Sequence, residues 1–281
     1  MKHTAAIYGV DPGRPSVMAI VNVTPDSFYS ASRSLEAASI VERVQRAIDE
    51  GCSIVDIGGY SSRPGADDVP AEEEWRRVEL GIKCVREVSA TIPVSVDTFR
   101  ADVAAKAIAA DNCIIINDIS AGELDPQMIA TVAEAGVPYI AMNMRGTPAT
   151  MNSLTDYEDV VSEVVGYFRR RTEQFIRSGM RAEKILLDPG FGFAKTLEQN
   201  YLLAGRLNEL CALGYPVVAG ISRKSMIYKV LGTTPEESLA GTTALHWELL
   251  RQGAAVLRVH DTRAAMDAIK MYEKYKSLND K

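Results

Sequence analysis

The sequence predicts an α/β fold, a single (β/α)8 TIM barrel, from three observations. Eight short apolar runs rich in β-branched residues alternate with longer amphipathic segments along nearly all of the 281 residues. Eight such units within about 250 residues are typical of the barrel. The first apolar run is not followed by Gly-x-Gly-x-x-Gly, which disfavours the alternative, an open doubly wound dinucleotide-binding sheet.

The eight apolar runs are short enough to be strands and contain few polar residues. Continuous apolar runs of this length fit parallel strands buried on both faces. We predict strands at 17–21, 53–57, 93–96, 113–116, 137–141, 184–187, 216–220 and 254–257.

The segments between the runs have helical periodicity. In the first, Val41, Val44 and Ile48 share one face before Gly51. The second begins with three acidic residues at 72–74, which suits the positive end of a helix dipole. No linker divides the chain, so we predict one domain over 1–281 with its core at about 15–270. The polar connections 22–33 and 58–70 are long, and we expect two mobile βα loops there.

Composition and charge exclude several classes of function. With 31 Lys and Arg against 37 Asp and Glu, the formal net charge is −6, so no nucleic-acid partner is predicted. No apolar stretch approaches the roughly 18 residues of a membrane span, and the first residues do not resemble a signal peptide. The four cysteines are far apart without metal-ligand spacing, which suits free thiols in the cytoplasm.

Polar or ionisable residues follow every predicted strand. In a barrel these positions face the active-site mouth. Asp, Asn and Ser also cap helices, so capping is the alternative for each of them alone, but capping does not account for Asp56, Lys224, Arg258 or His260. The residues are Asn22, Asp56, Asp97, Asn117, Asp118, Asn143, Asp188, Ser222, Arg223, Lys224, Arg258, His260 and Asp261.

These side chains divide into two chemical groups. Asp97, Asn117 and Asp188 offer oxygen acceptors for the N–H edges of a heterocycle. The cationic or donor residues suit an oxyanion such as phosphate, and Phe193 offers an aromatic wall; they are Arg63, Lys224, Arg258 and His260. A ligand with a nitrogen-rich ring at one end and a phosphate at the other would satisfy both groups.

Seven segments, in order along the chain, resemble the signature segments of the dihydropteroate synthase family. They are 22–28 (Asn-Val-Thr-Pro-Asp-Ser-Phe), 58–65 (Gly-Gly-Tyr-Ser-Ser-Arg-Pro-Gly), 95–98, 116–119, 187–193, 222–225 and 258–261. The resemblance implies a barrel transferase of folate biosynthesis. It would condense 6-hydroxymethyl-7,8-dihydropterin diphosphate with p-aminobenzoate, by a dissociative substitution, to give 7,8-dihydropteroate and pyrophosphate. It also implies a Mg²⁺ cofactor and a homodimer.

The resemblance assigns roles to individual residues. It implies catalytic roles for Arg63, Lys224 and Asp26, and Mg²⁺ ligation by Asn22. The implied pterin-binding residues are Asp97, Asn117, Asp188, Lys224 and Arg258. The diphosphate would be held by Asn22, Arg63, Arg258 and His260, and p-aminobenzoate by Ser62, Pro64, Phe193, Lys224 and Ser225.

Several positions depart from the family pattern. Ser30 replaces an aspartate of the first long loop, which leaves Asp26 as its remaining carboxylate. Tyr60 stands where a glutamate is usual, and Ser62 where a threonine is usual, which keeps the hydroxyl and loses a methyl group. Asn143 stands where a histidine is common. None of these changes removes the ring-binding carboxylates or the phosphate-binding cations.

Three other functions remain open at this point. A related pterin-binding methyltransferase barrel would need no diphosphate pocket, so Asn22 and Arg63 weigh against it. A Schiff-base aldolase would use Lys224 as its nucleophile. An inactive pterin-binding homologue, or a barrel that serves only as an assembly partner, is favoured by the altered loop at 29–32 alone.

Overall fold

The computed structural model describes residues 10–11, 13–23, 33–60 and 69–279, with the backbone alone at 33–36. The strands in these ranges are β1 Ser16–Asn22, β2 Ile54–Gly58, β3 Val94–Asp97, β4 Ile114–Asp118, β5 Tyr139–Met142, β6 Ile185–Asp188, β7 Val218–Ala219 and β8 Val256–Val259. The helices are α1 Arg33–Asp49, α2 Ala71–Val88, α3 Ala101–Ala110, α4 Met128–Ala135, α5 Val160–Arg177, α6 Leu197–Gly205, α7 Leu207–Cys211, α8 Ser225–Leu231, α9 Leu239–Gln252 and α10 Thr262–Asn279.

The eight strands form one parallel barrel. Their order is β6-β5-β4-β3-β2-β1-β8-β7. The two ends of this series meet at a parallel bridge between Leu187 and Val217, supported by a hydrogen bond of 3.0 Å from the Leu187 amide to the Pro216 carbonyl. The predicted (β/α)8 barrel is confirmed, and the open doubly wound sheet is wrong for this chain.

Alternate residues of each strand pack on opposite sides of the barrel wall, because side chains in a strand point to opposite faces. One set fills the interior: Val10, Met18, Ile54, Ile115, Ile140, Leu186, Val218 and Val256. The other set packs under the surrounding helices and includes Val17, Val55, Val94, Ile116, Tyr139 and Leu257. Side chains therefore fill the interior of the barrel, and the barrel is not a channel.

The same alternation places the residues two positions after several interior side chains at the carboxyl-terminal mouth. Ile54 is followed in this way by Asp56, Ile115 by Asn117, and Leu186 by Asp188. Val218 and Val256 are likewise followed by Gly220 and Arg258. The mouth is thus a polar layer directly above an apolar one.

Several strands extend one or two residues further than the sequence predicts. β3 and β6 end at Asp97 and Asp188, and β4 ends at Asp118, because the polar residues still pair in the ladder. β7 is the exception, with only Val218–Ala219 against the predicted 216–220. The predictions for β3, β4 and β6 stopped before the polar residue that follows each apolar run, whereas backbone pairing does not depend on side-chain polarity.

The tips of both long βα connections, 24–32 and 61–68, lie outside the described residues, so their predicted mobility stays a prediction. Across the helices that the structure does describe, none is both long and apolar enough to cross a membrane.

Candidate active site

Arg258 lies at the centre of the mouth between two carboxylates. Its Nε donates to Asp56 Oδ2 at 2.7 Å, and a terminal nitrogen donates to Asp97 Oδ2 at 2.7 Å. Asn117 Nδ2 lies 3.4 Å from Asp56 Oδ1. Asp56 and Asn117 are buried, whereas Arg258 and Asp97 are partly exposed. Four strands thus contribute to one network, with Asp56 fixing Arg258 from below.

Burial and charge act against each other in this network. Burial raises the pKa of Asp97 to about 7, although the Arg258 guanidinium opposes the rise. Burial also disfavours the charge on Arg258, but Asp56 and Asp97 outweigh it, so the pKa of Arg258 is raised. Arg258 therefore stays cationic, while Asp97 can gain or lose a proton near neutral pH.

Asp188 faces the same space from the opposite wall. Its Oδ1 accepts the Gly190 amide at 2.8 Å. Burial raises its pKa, against the attraction of nearby Lys224. A Cβ atom on Gly220 would lie 3.8 Å from both Asp188 Oδ2 and Arg258 Cδ. Gly220 therefore lies between the Asp188 carboxylate and the Arg258 side chain, within van der Waals distance of both.

Lys224 and Phe193 lie together beside Asp188. Lys224 Nζ donates to the Phe191 carbonyl and lies 4.7 Å from the centre of the Phe193 ring. Burial lowers the pKa of Lys224 to about 8, and Asp188 opposes this. Ser225 begins α8 next to it. The predicted residues Phe193, Lys224 and Ser225 are therefore neighbours, and their contact with p-aminobenzoate stays a prediction.

Asn22 and His260 lie at the outer edge of the mouth. Asn22 is exposed at the end of β1, and a Cβ on Gly58 would lie 3.8 Å from Asn22 Oδ1 and 3.6 Å from Asp97 Cβ. His260 Nδ1 is 3.1 Å from Ser222 Oγ, which also accepts the His260 amide at 3.2 Å. Both side chains are therefore placed near the open side, where a charged group could be held.

An apolar wall completes one side of the mouth. Its buried members are Ile119, Met142, Met144, Met151 and Ala194, and Phe99, Leu124 and Phe193 pack against them. A flat ring would therefore meet acceptors on the floor and apolar side chains on one flank.

Four of the predicted site residues, Asp26, Ser62, Arg63 and Pro64, lie outside the described residues. Their roles stay predictions. The described residues do bring the ring acceptors Asp97, Asn117 and Asp188 to one mouth with the cations Lys224 and Arg258.

The expectation that Asp118 also reaches the mouth is wrong. Because side chains alternate along β4, Asp118 points away from Asn117 and toward the helices. Its carboxylate accepts the Ser120 and Gly122 amides at 2.7 Å each and the Tyr139 hydroxyl at 2.8 Å. Asp118 therefore shapes the loop after β4. Asp261 has a comparable structural contact, an ion pair with Arg223.

Sequence reasoning missed two polar contacts near the mouth. Lys195 is buried and donates to Asn143 Oδ1 at 3.0 Å. Glu74 is fully buried in an ion pair with Arg100, whose guanidinium lies 5.3 Å from the Tyr60 ring centre. Glu74 was interpreted only as a helix-dipole partner. For Lys195, the available signal was its position two residues after the glycine-spaced aromatic loop 190–193.

Comparisons with known proteins agree with this geometry. Residues 18–260 match the family described as pterin binding enzyme. The dihydropteroate synthase of Haemophilus influenzae is 38% identical over 264 residues, 94% of this chain and 95% of its own. The Xanthomonas albilineans dihydropteroate synthase structure with 4-aminobenzoic acid has 40% identity and a TM-score of 0.86, covering 94% of each chain.

The Xanthomonas albilineans enzyme has also been solved in complex with 7,8-dihydropteroate. That structure is 37% identical, has a TM-score of 0.83 and again covers 94% of each chain. The similarity therefore spans the barrel from its first strand to its last, together with every described site residue. This chain belongs to the pterin binding enzyme family, among which it is similar to the dihydropteroate synthases.

Proposed function

We propose that the protein is a dihydropteroate synthase, a transferase that condenses 6-hydroxymethyl-7,8-dihydropterin diphosphate with p-aminobenzoate to give 7,8-dihydropteroate and pyrophosphate in folate synthesis. The observation that carries the proposal is the meeting of ring acceptors and cations at one mouth. The similar Xanthomonas albilineans enzyme binds both 4-aminobenzoic acid and 7,8-dihydropteroate.

The reaction exchanges one bond for another at the carbon that bears the diphosphate. The C–O bond breaks, pyrophosphate leaves with the electron pair, the amine nitrogen of p-aminobenzoate forms the C–N bond, and the amine loses a proton. An aromatic amine is neutral at pH 7 and already nucleophilic, so no strong base is needed. The protein's task is to position the two substrates and to stabilise the departing charge.

The described side chains suit the two halves of this task. We assign the recognition of the pterin N–H groups to Asp97, Asn117 and Asp188, whose oxygens point into the mouth. Lys224 and Arg258 place positive charge beside this floor, where it favours an anionic substrate despite the net negative chain. Phe193 and the apolar wall suit the aryl ring of p-aminobenzoate.

We also propose that Mg²⁺ assists through Asn22. Among the described residues no three His, Cys, Asp or Glu side chains cluster as a metal site. Mg²⁺ usually keeps several waters and takes few protein ligands, so one amide oxygen plus phosphate oxygens fits this donor set. Asn22 Oδ1 beside Gly58 is such an oxygen. When bound, the ion would neutralise charge on the leaving diphosphate.

Replacing Asn22 with Ala should raise the Mg²⁺ concentration that gives half-maximal turnover by about tenfold, because one of the few protein ligands is lost. The measurement is the initial rate against Mg²⁺ concentration. Asn208→Ala, which changes an exposed amide on α7, is the control and should match the wild type. An unchanged Mg²⁺ dependence in Asn22→Ala would contradict the assignment.

We propose further that the protein is a homodimer through an apolar face on α6, α8 and α9. The exposed side chains of this α6–α8–α9 face are Tyr201, Leu202, Val230, Leu231 and Leu239. The Tyr201 hydroxyl donates to the Met226 carbonyl at 3.0 Å, which fixes α6 against α8. A contiguous apolar face of this kind is typical of an association surface.

The paired substitution Leu202→Glu and Val230→Glu should convert the dimer into a monomer, because it places two charges within this face. Sedimentation velocity measures the mass. Met271→Glu on α10, where the side chain is 66% exposed outside the α6–α8–α9 face, is the control and should remain a dimer. The proposal would be contradicted if the wild-type protein were a monomer or if the double variant remained a dimer.

We place the protein in the cytoplasm. All four cysteines, Cys52, Cys84, Cys113 and Cys211, are free thiols, which suits a reducing compartment. Cell fractionation with an antibody against the native protein tests the location.

The direct test of the function is incubation with the pterin diphosphate, p-aminobenzoate and Mg²⁺. The proposal requires pyrophosphate release that depends on the amine, with dihydropteroate identified by mass. Pterin binding without turnover would instead indicate the inactive homologue, and methyl transfer to a corrinoid would indicate the methyltransferase barrel.

The lowered pKa of Lys224 also meets one requirement of the Schiff-base aldolase. Borohydride in the presence of a carbonyl substrate separates the two functions. Covalent trapping at Lys224 would favour the aldolase, and the proposed function predicts that no adduct forms.

A further inference from the structure

Lys195 is a buried cation beside the candidate active site, in a position that the proposed chemistry does not use. Only 8% of the residue is exposed. Its Nζ donates to Asn143 Oδ1 at 3.0 Å, to the Phe193 carbonyl at 3.1 Å and to the Gly190 carbonyl at 3.3 Å. Three donors thus meet three acceptors, and none of these acceptors is a carboxylate.

A buried ammonium without a carboxylate partner is costly, because neutral oxygens only partly replace the water it has lost. Burial accordingly lowers the pKa of Lys195 to about 7, because it disfavours the charged form. Asp188 opposes the shift, whereas Lys224 and Arg145 add to it. A methionine of similar length would remove the buried charge but would leave Asn143 Oδ1 and the Gly190 and Phe193 carbonyls without this donor, so the lysine links these three groups at the cost of burying its charge.

The three contacts of Lys195 join two βα loops at their closest approach. Gly190 has φ 72°, and a Cβ atom there would lie only 1.9 Å from the Asn143 carbonyl oxygen. The loop 190–193 therefore lies directly against the chain after β5. Lys195 crosses this junction and holds both ends of the loop, while Asn200 Oδ1 accepts the Gly192 amide at 2.6 Å.

The other face of the loop 190–193 lines the part of the mouth where we place the p-aminobenzoate ring. Its Phe191 carbonyl accepts Lys224 Nζ, and its Phe193 ring lies 4.7 Å from that nitrogen. A shift of this backbone would move the Phe193 ring and the Lys224 ammonium together. The pterin acceptors Asp97 and Asn117 belong to β3 and β4 and do not contact the loop, whereas Asp188, at the end of β6, accepts the Gly190 amide. Two of the three pterin acceptors are therefore independent of the loop.

We propose that Lys195 is a positioning residue for the amine substrate. Its ammonium fastens the loop 190–193 to Asn143 and so holds Phe193 and Lys224 in the arrangement that receives p-aminobenzoate. This inference rests on the proposed function, and it predicts a selective effect on one of the two substrates.

Lys195→Met should raise KM for p-aminobenzoate by about tenfold, equivalent to about 1.4 kcal/mol. Its kcat should change by less than about threefold, and calorimetry with a pterin lacking the diphosphate should give a Kd within about threefold of the wild-type value, because Asp97 and Asn117 do not contact the loop. Lys195→Gln keeps amide donors and should show a smaller rise in KM. Lys229→Met, an exposed lysine on α8, is the control. Equal losses for both substrates, or a wild-type KM, would overturn the proposal.

The wild-type protein supplies a test that needs no variant to fold. As pH rises through 7, Lys195 loses its proton and one of its three donors, so KM for p-aminobenzoate should rise between pH 6 and pH 7.5. The pKa of Asp97 is also about 7, so the Kd of a pterin lacking the diphosphate is measured over the same range to record the effect of Asp97 separately. A KM that is flat from pH 6 to pH 7.5 would overturn the proposal. If the wild type forms no dihydropteroate, the proposed function fails instead, and calorimetric binding of p-aminobenzoate to Lys195→Met then decides the role of Lys195.

Discussion

Replacing Asp188 with Ala should abolish measurable pterin binding. Asp188 is 6% exposed, and its Oδ2 lies beside Gly220, on the side that faces Arg258. Without it, ring N–H groups would be buried unpaired, as would the Gly190 amide that Asp188 Oδ1 now accepts. Hydrogen bonds to charged groups contribute about 1.5–3 kcal/mol each, so we expect Kd to rise by at least about 100-fold.

Isothermal titration with a pterin that lacks the diphosphate measures this loss without interference from the phosphate-binding groups. Asp267→Ala, which removes an exposed carboxylate on α10, is the matched control and should bind as the wild type does. Affinity retained in Asp188→Ala would mean that the pterin is recognised elsewhere.

Replacing Arg258 with Met should cost about 3–5 kcal/mol of unfolding free energy at pH 8, because removing one partner of a buried ion pair leaves uncompensated charge. Here one guanidinium serves two carboxylates, those of Asp56 and Asp97. Without Arg258 the pKa of Asp97 should rise above its present value of about 7.

The loss should depend on pH in a defined direction. A carboxyl whose folded pKa is raised supports stability while it is protonated, and this support is lost as pH rises from about 4 through the folded value. Arg258→Met should therefore be less destabilised at pH 5 than at pH 8. Urea denaturation at both pH values measures the difference, with the exposed Arg251→Met as control. A loss below about 1 kcal/mol at pH 8 would contradict the central role of Arg258.

The sequence predicted most of the barrel because strand residues are chemically distinct from their neighbours. The eight apolar runs mark β1 to β8, and the polar residues at their ends mark the mouth. Asp56 and Arg258 stood out because helix capping does not explain them, and the structure pairs them.

The errors and omissions have physical causes. Asp118 was placed at the mouth beside Asn117, although adjacent strand residues point to opposite faces. Lys195 was missed because its role depends on Asn143, which is 52 residues away in sequence and close only in the fold. Hydrophobic periodicity depends on residues that are close along the chain, so it does not predict contacts between separate βα loops.

Two departures from the family pattern acquire contacts in the structure. Asn143, where a histidine is common, accepts Lys195 Nζ. Tyr60, where a glutamate is usual, lies edge-on to Phe99 at 5.2 Å and beside Arg100. Both side chains lie beside the mouth rather than among its ring acceptors, and in this chain they contact residues of the surrounding loops.

A crystal structure of this protein with 7,8-dihydropteroate tests the central claim most directly, because it locates both halves of the product at once. The pterin ring should lie within about 2.7–3.2 Å of oxygens of Asp97, Asn117 and Asp188, with the aryl ring beside Phe193 and Lys224. A product bound away from these side chains, or with its pterin ring outside the barrel mouth, would contradict the account.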